Sequence, residues 1–65
     1  MKKKTFYAVA TTIFDDGRII VRLAGTQLDY VRPANKFNST PRADRYIDWF
    51  DSEADAKQFI EANTI

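Results

Sequence analysis

Ile13-Phe14-Asp15-Asp16-Gly17-Arg18-Ile19-Ile20 is the stretch whose reading decides the fold. Two apolar, β-branched runs meet at Asp-Gly. That dipeptide is a strong hairpin signal, because a tight type I′ turn needs positive φ at both central residues. Working outward, Thr5 to Phe14 is rich in aromatic and β-branched residues and reads as a strand. Arg18 to about Leu28 is the returning strand.

A two-residue loop of Asp16 and Gly17 sets a register. Asp15 faces Arg18, Phe14 faces Ile19, Ile13 faces Ile20 and Ala10 faces Leu23. Side chains alternate along a strand. One face then carries Phe6, Ala8, Ala10, Phe14, Ile19, Val21 and Leu23, and the other carries Tyr7, Val9, Thr11, Ile13, Ile20 and Arg22. The first is expected to be the core face, with Ala8, Ala10 and Gly25 letting a helix lie close. A different loop length swaps the faces.

Residues 29–44 hold both prolines, Pro33 and Pro41, among Asn, Ser and Thr, and read as a long loop. Arg45 to Phe50 reads as a third strand. Ser52-Glu53-Ala54-Asp55 is a near capping box with Asp in place of Glu. Ala56, Phe59, Ile60 and Asn63 follow at i, i+3, i+4 and i+7, which predicts an amphipathic helix ending near Asn63. Glu53 and Lys57 stand four apart in the favourable order. Phe59 and Ile60 are its anchors, met by Trp49 or Phe50.

The expected fold is α+β: a three-stranded antiparallel sheet (β-β-loop-β) packed on one C-terminal α-helix, residues 1–65 forming one domain.

The residue types restrict chemistry more than shape. The chain has no cysteine and no histidine. Thiolate nucleophiles, the commonest metal ligand and the usual general base are therefore missing. Asp15 and Asp16 sit at a hairpin tip, which suits a turn better than paired carboxylates in a cleft. Gly17 and Gly25 are the only glycines, too few for a phosphate-cradling loop. Ser39 and Ser52 have no histidine to activate them. The chain is thus expected to be no enzyme and to take no cofactor, metal or small-molecule substrate.

Ten basic and nine acidic side chains nearly cancel, yet they are segregated along the chain. Residues 1–46 carry nine of the cations and four acids; residues 47–65 carry one cation and five acids. Lys2-Lys3-Lys4 before an apolar run imitates a signal peptide, but Thr11-Thr12 interrupt the run, and no stretch approaches a membrane span. A cytoplasmic location and no membrane partner are expected.

Two leads to a binding role remain. Tyr7, Val9, Ile13 and Ile20 lie uncovered if the helix covers only the opposite face, and an exposed apolar patch implies a partner. Arg32, Lys36, Arg42 and Arg45 flank Tyr30, Phe37 and Tyr46, a pattern able to grip phosphates. The site expected to bind a partner comprises Tyr7, Val9, Ile20, Arg22, Arg32, Lys36, Arg42 and Arg45.

The run Tyr46 to Ile60, an aromatic strand entering F-D-S-x-x-x-A-x-x-F-I, resembles the endings of integrase arm-type and AP2-like DNA-binding domains and of the N-terminal hybrid-binding domain of ribonuclease H. It covers about a quarter of the chain. The DNA-binding families are three-stranded sheets with a C-terminal helix. The chain departs from them in having few cations on strand one and acids at Asp15, Asp16 and Asp48. As a whole it resembles short prophage or phage-type proteins, with their basic start, D-D-G-R hairpin, Pro33–Thr40 loop and Y-I-D-W-F-D-S ending. That resemblance implies no established activity and favours a binder. With the two-sided apolar sheet, the expected function is a small non-enzymatic module, phage- or mobile-element-derived, that contacts a protein partner, or itself as a homodimer, through the uncovered sheet face and the basic loop. The alternative is a nucleic-acid-binding domain using the basic loop and strand two.

Overall fold

The computed structural model describes residues 2–63. The chain runs β1 (Lys4–Phe14), β2 (Ile19–Asp29), β3 (Lys36–Ser39), β4 (Ala43–Phe50) and α1 (Glu53–Asn63). The four strands form one antiparallel sheet in the order β2-β1-β4-β3. The α+β class and the C-terminal helix are as expected, but the sheet has four strands instead of three. The added strand, β3, lies inside the stretch read as loop. It is fully exposed and pairs only with β4.

The hairpin register also differs. Phe14 N–H donates to the Arg18 carbonyl at 2.8 Å, and Gly17 N–H donates to the Phe14 carbonyl at 3.0 Å. The loop is therefore three residues, Asp15-Asp16-Gly17, with Gly17 at φ +91° supplying the left-handed position such a loop requires. Asp16 reinforces it, its carboxylate accepting from Arg18 N–H at 3.0 Å and Arg18 Nε at 2.8 Å. Ile13 now opposes Ile19, Thr11 opposes Val21 and Val9 opposes Leu23. Beyond Val9 a bulge inserts Ala24, and Ala8 opposes Gly25.

One residue of slip exchanges the faces of Ile19 to Leu23, and the bulge at Ala24 restores the expected register from Gly25 onward. Val9, Thr11 and Ile13 share a face with Leu23, Val21 and Ile19, and also with Phe50, Tyr46 and Phe37. Phe6, Ala8, Ala10 and Thr12 share the other with Arg22, Ile20, Trp49, Ile47 and Arg45. The expected core face is thus split between the two sides.

The helix settles on the Val9 side. Phe50, on that face, meets Phe59 with ring centroids 5.1 Å apart, and Val9 and Ala56 are both fully buried. This resolves the choice of anchor toward Phe50. Gly25, on the opposite face, has no neighbour where a Cβ would stand, so it does not serve the close helix approach expected of it. Ser52 caps α1, its Oγ accepting from Asp55 N–H at 3.1 Å.

β1 is the centre of the molecule. It is paired on both edges, and Phe6, Ala8, Val9 and Ala10 are buried across its two faces. The segment between β2 and β3 spans the end of the sheet from one edge to the other. Asn35 ties it down, its Oδ1 accepting from Trp49 N–H at 2.9 Å, and Arg32 lies 3.8 Å from Asp51.

Candidate functional site: two unlike faces of one sheet

The expected partner-binding residues do not form one surface. Val9 is fully buried and offers nothing to a partner; Tyr7 beside it is half-buried, in the region of α1. Ile20 lies on the other face, next to Arg22. The expectation that Tyr7, Val9, Ile13 and Ile20 form one uncovered patch is therefore corrected: α1 takes the first two, and the three-residue turn separates the last two.

An apolar patch does exist, farther along the same face. Rows across the sheet read Phe37, Tyr46, Thr11 and Val21, then Ser39, Asp44, Ile13 and Ile19, while Leu23 stands in the row of Val9 and Asp48. Phe37 is 59% exposed, Leu23 45%, Ile19 44%, Tyr46 37% and Ile13 36%. Phe37 and Tyr46 touch at 4.8 Å between centroids. Phe37 thus packs against a neighbour on the sheet surface, within a stretch the sequence reads as loop. Its role was hidden because β3 lacked a recognisable strand pattern. Ser39 Oγ donates to Asp44 at 2.6 Å, fixing the far end of the β3–β4 hairpin.

The opposite face is cationic. Arg22 on β2, Arg45 on β4 and Lys36 on β3 all project from it and all are exposed. Lys36, Asn38, Arg45 and Ile47 line a shallow depression of about 220 Å³. None of the three cations takes part in an ion pair among the described residues; the paired cations are Arg18, Arg32 and Lys57. Arg32 and Arg42 stand apart, Arg32 beside Asp51 and Arg42 at the turn between β3 and β4. Arg42 and the hairpin tip around Asp15 border a second hollow of about 230 Å³. Tyr30 is exposed beneath the Lys3 ammonium, 5.5 Å from its ring centroid.

Acids gather on the other side. Asp44 and Asp48 share the face that α1 covers, and α1 begins with Glu53 and Asp55. The contrast along the chain thus becomes, in three dimensions, a contrast across the sheet.

Asp16 and Asp29 are held below the usual carboxylate range. Arg18 N–H is the main cause for Asp16, and Tyr30 N–H for Asp29, with the Gln27 amide adding to the latter. Both serve turns. Among the described residues no three acidic side chains gather as a metal site, and no helix is long and apolar enough to cross a membrane. No protein-family model, curated protein or solved structure matches the chain.

Proposed function

We propose that this chain is a non-enzymatic interaction module that pairs with a second copy of itself through the apolar patch of Ile13, Ile19, Leu23, Phe37 and Tyr46. The observation that carries the reading is that patch: five large apolar side chains, 36–59% exposed, on one face of the sheet, Phe37 beside Tyr46 and Ile13 beside Ile19, with Thr11 and Val21 between them and Leu23 at the edge next to Val9. Scattered exposed apolar residues need no explanation, but adjoining ones mark a contact surface.

The size of the surface favours a second copy as the occupant. The chain exposes 4980 Å². A monomer of 7.5 kDa is expected to expose ~4,250 Å². The excess of about 700 Å² belongs to a thin, extended sheet with little covering it. The shape agrees. The radius of gyration is 12.8 Å, against ~10.7 Å for a compact domain of this length. Among the described residues α1 covers one end of one face and no helix lies on the other, so a copy of the chain can supply a second layer over the apolar patch. The absence of cysteine and histidine from the sequence supports the non-enzymatic part of the reading.

Sedimentation equilibrium tests it. A dimer is expected, with Ile19→Lys and Phe37→Lys each giving a folded monomer. A wild-type chain still monomeric at ~1 mM, where binding is weaker than about −4.1 kcal/mol, overturns the reading.

A further inference from the structure

We infer that the opposite face of the sheet binds the phosphate backbone of nucleic acid, with Arg22, Lys36 and Arg45 as the phosphate-contacting cations and Asn38 and Thr12 as neutral donors between them. The face is distinct from the apolar patch, so this inference is independent of self-association.

The placement comes from the register. One row across the sheet reads Arg22, Ala10, Ile47, Lys36; the next reads Ile20, Thr12, Arg45, Asn38. Five side chains able to donate to phosphate oxygens therefore share two adjacent rows. No acidic residue stands in either row. The three cations have no carboxylate partner among the described residues, so binding an external anion breaks no internal pair. Small Ala10 and half-buried Ile47 keep the centre low, and the cations rise at both edges and beside Thr12. Arg, Lys, Asn and Thr are the side chains that contact phosphate in nucleic-acid complexes.

The width of the sheet decides the mode. Arg22 and Lys36 stand three strand spacings apart, about 14 Å. That exceeds the ~12 Å of a major groove, which admits at most a two-stranded ribbon. The face therefore lies across backbones and reads no base edges. Its aromatic rings are not free for stacking: Phe6 is buried, Trp49 and Phe14 are half-buried, and the Arg18 guanidinium lies 4.8 Å from the Phe14 ring centroid. Duplex binding without sequence preference follows, and an acidic protein is the competing occupant.

Fluorescence anisotropy with a labelled short DNA duplex, its single strand and labelled polyglutamate separates the cases. The duplex is expected to bind, with log K falling against log salt at a slope of about −2.7 for three phosphate contacts. Affinity then drops ~40-fold between about 50 and about 200 mM salt. Arg22→Ala, Lys36→Ala and Arg45→Ala are each expected to weaken binding and to reduce the slope by about one unit. Lys57→Ala, on α1, changes neither. Circular dichroism confirms that each variant is folded. No duplex binding at low salt overturns the inference, as does a slope unchanged in all three variants. Polyglutamate bound as tightly as the duplex, or the single strand bound more tightly, overturns the assignment of occupant.

Discussion

Phe59 of α1 meets Phe50 of β4 with ring centroids 5.1 Å apart and planes tilted by 45°. This contact ties the helix to the strand that precedes it and fixes which face of the sheet becomes the interior. Tilted pairs of this kind add about 0.5–1.5 kcal/mol beyond their buried area. Phe59→Ala is expected to cost about 2 kcal/mol, below the 3–5 of a fully enclosed ring because Phe59 is only half-buried. Urea denaturation measures the loss. A cost below about 0.5 kcal/mol would mean that the helix is held by something else.

Thr11 carries a buried hydroxyl with no partner among the described residues. Removing an unsatisfied polar group while keeping the shape is neutral or stabilising. Thr11→Val is therefore expected to raise stability by about 1 kcal/mol, which lifts the melting temperature by roughly 4–8 °C in a domain of this size. A destabilised variant would reveal an unseen partner for that oxygen.

At Gly17, φ is +91° and an added Cβ meets nothing within 4 Å. Any cost of substitution is thus conformational and owes nothing to crowding. Gly17→Ala is expected to lose about 1 kcal/mol and Gly17→Asn less, since asparagine tolerates the left-handed region. Equal losses for the two would contradict this account.

Ser52→Ala removes the bond from Asp55 N–H that starts α1. About 1 kcal/mol is expected to be lost, with Ser52→Asp close to wild type. Helix content by circular dichroism during the melt reports it.

Acid acts through Asp16 and Asp29, both depressed by backbone N–H donors. A depressed folded-state pKa contributes stability above the unfolded value, near 4, and loses it as pH falls through the folded value. Denaturation midpoints of wild type and of Asp16→Asn with Asp29→Asn are expected to differ by a constant amount above about pH 5 and to converge below about pH 4. Lys57 has the opposite sign, because its hydrogen bond to Glu53 raises its pKa. That pair contributes below the ordinary lysine value and is lost as pH rises through the raised one.

The helix was legible from its cap and its apolar spacing, and the hairpin from its aspartates and glycine. Both signals are local. What was not legible depended on one residue of loop length. Asp15-Asp16-Gly17 suits either a two-residue turn or a three-residue one with glycine left-handed, and the choice reassigns the side chains of Ile19 to Leu23, up to the bulge. The bulge at Ala24 had one signal, Gly25 beside it, since an isolated glycine within a strand often marks a bulge, but that glycine was read as room for the helix. β3 was missed because Lys-Phe-Asn-Ser carries one apolar residue and lies between prolines; an exposed edge strand needs no alternation, only a partner. The cationic face depends on the turn length, which places Arg22, and on β3, which places Lys36, so Arg22, Lys36 and Arg45 became neighbours only once the strands were aligned.

The placement of β1 between β2 and β4 has a consequence for how the chain is made. A ribosome delivers β1 and β2 well before residues 43–50 emerge. Until β4 pairs, that hairpin has one flank of β1 bare and Val9 without the helix that covers it. The bare flank is a template on which the wrong strand can pair.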